Sequence, residues 1–377
     1  MSDCKNCLLG DILTFQRGHD LSKERMEKGE YPVVGSNGII GYHSKYTTES
    51  PSITIGRSGN TGNPYIVYGR SWSHNTTLYV KEFKGSDPTY VYYLLKTLDL
   101  GSFAGGSAVP TLNRNHIHSL EISVPPLAQQ IEIGRTLRMF DDKIANNTAI
   151  NHHLEQIAQA VFKSWFVDFE AFSGVMPDNW REGTINEIAA DIVCGKTPPA
   201  RNREFFGNDL PFITIPDMHG RTYITTTERS LSKAGVASQS SKTVPANSIC
   251  VSCIATAGLV VMTSKASQTN QQINTIVCRN GISPFYTYLA MVRMADYIKM
   301  LGSSGSTTNN LNKGQFSKIK ILIPLERDLD EFNDLVSPIF EKIKRNQQES
   351  EYLINLRDAL LPRLICGELS VTDLVAK

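Results

Sequence analysis

No run of eighteen or more apolar residues occurs anywhere in this 377-residue chain, so no segment is suited to cross a bilayer as a helix. The opening "MSDCKNCLLGDI" also lacks the basic stretch and apolar core of a secretory leader. A cytoplasmic protein with no membrane partner is the expectation. Charge of one sign is missing too: 38 Lys and Arg stand against 37 Asp and Glu. The balance neither demands nor excludes nucleic acid, and any such surface has to be a local patch. The seven cysteines are an odd number without a leader, which fits reduced thiols better than a disulfide framework. Two C-x-x-C pairs are present, Cys4/Cys7 and Cys250/Cys253. The second lies in the strand-like "SICVSCIA", where residues three apart face opposite sides and cannot chelate one ion. No metal site is expected.

What the chain does contain is a repetition. Its length suits two or more domains, and "GGSAVPTLNRNHIHSLEISVPPL" (105–127) is answered by "SGSTTNNLNKGQFSKIKILIPLE" (304–326). Leu112-Asn113 matches Leu311-Asn312, and Val124-Pro125 matches Ile323-Pro324. The same offset continues into helix. Ile133, Leu137, Phe140, Ile144, Asn147, Asn151, Leu154, Ala158, Val161 and Trp165 become Phe332, Val336, Ile339, Ile343, Asn346, Ser350, Leu353, Arg357, Leu360 and Leu364. Spacings that alternate four and three describe a coiled-coil seam. Both seams are interrupted at one depth, by Asn147 and Asn151 in one copy and by Asn346 and Ser350 in the other. Two such seams can pair within one chain and set their register by bringing the polar layers together. The plainer alternative is two unrelated amphipathic helices on separate domains.

Ahead of each helix the copies correspond more loosely. "LPFITIPDM" from Leu210 matches "YPVVGSNGI" from Tyr31, "NSICVSCIATAGLVV" matches "PSITIGRSGNTGNPY", and "INEI" at 185–188 matches "LGDI" at 9–12. Short β-rich runs broken by Gly, Asn and Pro suggest a small mixed α/β globule in each half. Gly105–Ser107 and Gly302–Ser306 are Gly/Ser loops, either turns or approaches to phosphate.

Chemical motifs do not survive comparison between the copies. "DPTY" at 87–90 resembles the tetrad with which amino-methyltransferases hold a base, but the other copy has "SPFY" at 283–286 and both precede a helical run. Asp87 and Ser283 therefore read as N-caps, with Pro88 and Pro284 at the first helical position. "GKT" at 195–197 fails as a phosphate loop because Ala190 stands where glycine is required. Neither a helical His pair with Glu nor a G-x-S-x-G elbow is present. The chain reads as a reader or scaffold without an active site of its own.

The stretch "PPLAQQIEIGRTLRMFDDKIANNTAINHHLEQIAQAVFKSWFVDFE", followed by "PDNWREGTINEIA" and closed by "LRDALLPRLICGELSV", resembles a specificity subunit of a type I restriction-modification enzyme. The likeness extends over essentially the whole chain and is strongest at Val161–Phe169 and Leu360–Glu368. "GYHSKY", "GKTPP" and "NQQIN" are similar to pieces of that family's target recognition domains. One departure is Cys4, which stands where Trp180 opens the second globule. The resemblance implies an α+β fold: two small mixed α/β target recognition domains separated by a long antiparallel two-helix coiled coil, with an internal pseudo-twofold repeat. The boundaries expected are 1–126 for the first recognition domain, 127–172 for the first spacer helix, 173–325 for the second recognition domain, and 326–377 for the second spacer helix and tail.

The same resemblance implies double-stranded DNA as ligand, two modification (methyltransferase) subunits and restriction (endonuclease and translocase) subunits as partners, and no catalysis or cofactor in this chain. S-adenosylmethionine, ATP and Mg would belong to the partners, which would methylate adenine N6 and cleave. Two different readers joined by a spacer would recognise an asymmetric bipartite site. A non-catalytic coiled-coil adaptor and a stand-alone DNA methyltransferase are the alternatives.

Residues shared by the copies, such as Leu112/Leu311, Asn113/Asn312 and Asn75/Asn274, are expected to serve architecture, phosphate contacts or docking. Residues that differ are the better candidates for base edges, since only they can make the half-sites distinct. In the first globule these are Arg57, Ser58, Asn60, Arg70 and His74; in the second, Lys196, Thr197, Arg201, Arg203, Arg221, Asn270 and Gln271. Arg can grip guanine as a fork, and Asn or Gln can do likewise with adenine. The aromatic helix end "KSWFVDFEAF" can pack under the neighbouring globule, or can dock modification subunits through Trp165, Phe166 and Phe169, with Leu360 and Leu364 as counterparts.

Overall fold

The computed structural model describes residues 4–105, 110–199, 201–303 and 311–372. Of the two Gly/Ser loops, only Gly105, Gly302 and Ser303 fall among them; the rest lies outside the described residues. Two compact units emerge. One comprises the described residues up to Lys143 together with those from Leu353 onward, and the other is Ile144–Tyr352. The division falls inside both long helices, Leu127–Phe166 and Glu326–Ile365, each of 40 residues. No helix among the described residues is long and apolar enough to cross a membrane.

In the first unit, "SITIG" is a short β-branched run that forms the strand Ser52–Gly56, buried along its whole length. Antiparallel neighbours flank it in the order Thr14–Arg17, Thr77–Glu82, Ser52–Gly56, Pro64–Val67. A second sheet has the order Gly38–His43, Tyr31–Gly35, Trp72–Ser73, the last pair parallel. The strand Lys5–Leu8 pairs with Glu121–Val124. Helix Pro88–Thr97 begins at Asp87, whose carboxylate accepts the Tyr90 N–H at 2.7 Å, with Pro88 at the first position.

The second unit repeats this skeleton. Its buried central strand is Ile249–Ser252, in the order Ala189–Cys194, Ile273–Cys278, Ile249–Ser252, Val260–Thr263, Tyr223–Ile224. Leu210–Ile213 takes the place of Tyr31–Gly35 and pairs in parallel with Gln268–Thr269, as Tyr31–Gly35 does with Trp72–Ser73. Arg181–Thr184 pairs with Lys320–Ile323. Ser283 caps the helix Pro284–Arg293 through the Tyr286 N–H at 3.3 Å, and Asn113 and Asn312 each cap a short helix. The turns "LGDI" and "INEI" are both single helical turns, Leu9–Ile12 and Ile185–Ile188.

Backbone hydrogen bonds fix which residues are equivalent. Arg57 N–H donates to Thr76 O and Cys253 N–H to Gln272 O, both at 2.8 Å; Leu112 N–H donates to Arg57 O and Leu311 N–H to Cys253 O, at 2.8 and 3.0 Å. Leu112/Leu311 are thus true equivalents. Asn75/Asn274 are not: Asn75 corresponds to Gln271, and buried Asn274 takes the place of Leu78 and donates to Leu311 O. The loops between equivalent strands differ in length, so one sequence offset does not hold throughout.

Every seam position named above is buried or half-buried. In the second unit, Asn147 Nδ2 donates to Glu349 Oε2 at 2.9 Å and lies within reach of Ser350 Oγ and Asn346 O. One turn later Asn151 Nδ2 donates to Ile343 O at 3.4 Å, and Asn346 Nδ2 donates to Asn151 Oδ1 at 2.8 Å. Partners descend in number as the first helix ascends, so the segments run antiparallel. In the first unit, Ile133 and Leu137 share a core with Leu360, Leu361 and Leu364. There Arg357 departs from the seam pattern: it pairs with Asp141, which also accepts the Tyr93 hydroxyl at 2.6 Å.

The aromatic end of the first long helix belongs to the core of the second unit. Phe166 is buried against Tyr286 and Phe332, both with ring centres 4.8 Å away, and Trp180 at 5.4 Å. Trp180 Nε1 donates to buried Asp328 at 2.7 Å. The end of the second long helix does the same work in the first unit with aliphatic residues, and Cys4 stands in the place of Trp180.

These contacts set the expected effects of substitution on stability. Asn346→Ala removes the donor to Asn151 and should cost about 1–3 kcal/mol in chemical denaturation. Asn147→Leu should cost less, because Asn147 Oδ1 is already buried without a protein partner among the described residues. Separately, a Cβ on Gly18 would lie 2.1 Å from His74 O, and one on Gly195 would lie 2.1 Å from Asn270 O. Gly18→Ala and Gly195→Ala should each therefore lower stability by about 1–3 kcal/mol or more, read by thermal melting.

Candidate nucleic-acid interface

One end of each unit gathers three segments: the loop after the first sheet strand, the turn entering the strand after the parallel pair, and the loop after the buried central strand. In the first unit these are Gly18–Asp20, His74–Thr76 and Arg57–Asn63. They are joined by Gly18 N–H to Thr77 O at 3.0 Å, His19 N–H to Ser73 O at 2.8 Å and Arg57 N–H to Thr76 O. In the second unit they are Gly195–Thr197, Asn270–Gln272 and Cys253–Leu259, joined by Gly195 N–H to Ile273 O at 3.1 Å and Lys196 N–H to Thr269 O at 2.9 Å.

The candidates of the first unit do not all meet. Half-buried Arg57 and Ser58 and exposed Asn60 share one loop. Ser58 is bridged to Thr111, and Asn60 Oδ1 accepts from Asn63. His74 stands beside them, but Nδ1 engages the Thr76 hydroxyl at 3.0 Å and Nε2 lies 3.2 Å from Leu21 O. Both ring nitrogens are occupied in holding the turn. Arg70 lies past the other end of the central strand, paired with Glu49 at 2.9 Å and stacked over Tyr46.

In the second unit, Lys196 and Thr197 sit beside Gln271, and the Thr197 hydroxyl donates to Gln271 Oε1 at 2.5 Å. Exposed Arg201 and Arg203 continue the same loop, and Arg203 borders a depression with Phe206, Asn208 and Arg229. Buried Asn270 is occupied: Oδ1 accepts the Gln272 N–H and Nδ2 donates to Gln272 Oε1, both at 3.0 Å. Arg221 is tied to Glu351 at 3.3 Å and to Thr226 O at 3.1 Å. His74 and Asn270 thus occupy equivalent positions and do equivalent local work.

The cations match in part: both glycine loops carry them, but only the first unit has one after its central strand. The first unit carries Arg57 after its central strand, where the second has buried Cys253. After the glycine, the second unit carries Lys196, Arg201 and Arg203; the first carries His19 and then exposed Lys23 and Arg25 on a 3-10 turn equivalent to Arg203–Phe205. Sequence reading missed Lys23 and Arg25, and also Asp20 and Asn75 as loop residues. The available signal was the lone glycine shared by "RGHD" and "CGKT", each followed by a basic stretch.

Of the five docking candidates, Phe166, Leu360 and Leu364 are buried in the cores of their own units, whereas Trp165 and Phe169 keep partial exposure. Among the described residues no group of three or more His, Cys, Asp or Glu is placed to hold a metal. Burial pushes the Cys250 thiol up to about 12 and the Cys253 thiol up to about 11, which keeps both protonated at neutral pH.

A sequence model described as "Type I restriction modification DNA specificity domain" matches residues 1–156 and 177–351. The chain is 38% identical over 328 residues to the type I restriction enzyme HindI specificity subunit of Haemophilus influenzae, covering 69% of this chain and 71% of that one. It is 28% identical over 319 residues to the MjaIX specificity subunit of Methanocaldococcus jannaschii, covering 76% and 70%. A type I restriction-modification S subunit from M. genitalium has the same fold, with a TM-score of 0.67 at 17% identity over 97% of this chain and 96% of the other. A duplicated α/β skeleton, loops that differ between its copies, and two matches to one specificity domain agree: the chain belongs to the specificity subunits of type I restriction-modification enzymes, which are non-catalytic.

Proposed function

We propose that this chain selects the DNA on which a type I restriction-modification complex acts, each unit reading one half of an asymmetric bipartite site in duplex DNA. The observation that carries this reading is the contrast between a duplicated skeleton and unduplicated loop chemistry at the same end of each unit. Backbone hydrogen bonds place equivalent loops alike, while cations and amides on them differ. A protein that needed two identical surfaces would carry the same cations and amides on those loops.

In this reading Arg57, Ser58 and Asn60 serve one half-site, and Lys196, Thr197, Arg201, Arg203 and Gln271 the other. Exposed Lys and Arg neutralise phosphates and set the affinity, while side chains that reach base edges set the sequence. Two modification subunits dock along the long helices, with Trp165 and Phe169 the aromatic residues that retain surface for them, and restriction subunits join that assembly. S-adenosylmethionine, ATP and Mg are bound by those partners.

The direct test is to produce the chain with its cognate modification subunit and map N6-methyladenine in the host genome. One motif of two unlike halves around an unread spacer is expected; an uninterrupted motif, or methylation without sequence preference, would overturn the reading. The isolated chain should show no S-adenosylmethionine binding by calorimetry. Replacing Arg201 and Arg203 together by Ala should weaken binding to all sequences alike. If each contacts a phosphate, the slope of log K against log salt should fall by roughly 0.9 per residue.

A further inference from the structure

The equivalent turns both place an amide side chain at their middle position. In the first unit the side chain of His74 is folded onto Thr76, and in the second the side chain of Asn270 is folded onto Gln272. The residue between is Asn75 in one and Gln271 in the other. Each is met from the glycine loop by the residue two places after the glycine. Asn75 Nδ2 donates to the Asp20 carboxylate, and the Thr197 hydroxyl donates to Gln271 Oε1. Main-chain bonds tie each loop to its turn, Gly18 N–H to Thr77 O and Gly195 N–H to Ile273 O, and the approach at Gly18 and Gly195 leaves no room for a side chain.

The two pairs share a position and differ in polarity. Asp20, whose side chain is 77% exposed and lies 3.6 Å from Arg17, can only accept, and by taking up an Asn75 N–H it leaves the amide oxygen unengaged among the described residues. The first pair is therefore rich in acceptors, which suit the amino groups of adenine N6 or cytosine N4. In the second pair the amide oxygen is engaged by a hydroxyl, and both Nε2 hydrogens remain as donors for guanine O6 or N7, or for thymine O4.

We propose that Asp20–Asn75 and Thr197–Gln271 are equivalent base-reading pairs, one for each half of the site. The assignment rests on the two-half reading above and adds which residues specify it. His74 and Asn270 are positioning residues that hold the turns. The exposed amide and its loop partner make the contact, and the change of polarity between the pairs makes the half-sites unlike.

The experiment uses the full chain complexed with its modification subunit. Wild type and the variants Asp20→Ala, Asn75→Ala, Thr197→Ala and Gln271→Ala are titrated against the mapped duplex and against duplexes substituted singly at every recognised position. Asp20→Ala and Asn75→Ala should each reduce discrimination by about tenfold to a hundredfold at a position in one half only. Thr197→Ala and Gln271→Ala should do the same in the other half only. Discrimination unchanged at every position, or binding weakened equally for all duplexes, would overturn the proposal. Thermal melting accompanies each titration, and any variant that melts early is replaced by Asn75→Gln or Gln271→Asn under the same criteria. A wild-type complex that does not discriminate among the duplexes would instead sink the two-half reading itself.

Discussion

Burial of one apolar seam against another from the far side of the sequence is the constraint on which the rest of this molecule depends. Each long helix hides its seam against the facing helix and, toward its ends, within a globule core. The consequence reaches beyond the helices. Leu360, Leu361 and Leu364 complete the core that contains Leu9, Phe15 and Tyr90, while Phe162 and Phe166 complete the one that contains Trp180, Tyr286 and Phe332. The Asn147, Asn151 and Asn346 layer adds direction to this burial, since an apolar seam alone tolerates a slip that buried amides do not.

Equivalent loops diverge where the skeleton permits it. Bonds such as Arg57 N–H to Thr76 O and Cys253 N–H to Gln272 O use only main-chain atoms, so the side chain at that point is free to be a cation in one unit and a buried thiol in the other. The same logic explains why His74 and Asn270 look unlike and yet act alike, because any short side chain that can fold back on the turn will serve. In these loops space itself demands glycine at Gly18 and Gly195.

Much of this was legible before any coordinates. The seam, its polar interruption, the proline-led caps at Asp87 and Ser283, and the pairing of Leu112 with Leu311 all follow from periods and local chemistry that a sequence prints directly. The equivalence of Asn75 with Gln271 was not, because it is written in strand register. Gly18 and Gly195 stand 177 apart, Asn75 and Gln271 stand 196 apart, and Leu112 and Leu311 stand 199 apart. Insertions accumulate between them, and a single offset carried forward placed Asn75 against Asn274. The occupied states of Arg70 and Arg221 were equally hidden, since Glu49 and Glu351 come from segments that no local pattern links to them.

The dependence of the first core on Leu360–Ile365 also bears on synthesis. A nascent chain that has delivered every residue up to Lys143 still lacks the aliphatic helix end that covers Ile133 and Leu137. At about 5–20 residues per second, the ribosome needs on the order of ten seconds or more to supply it. Throughout that interval the earlier half stays unsealed, an opening for chaperones or for a neighbouring nascent chain, whereas Ile144–Tyr352 can close without waiting for anything downstream.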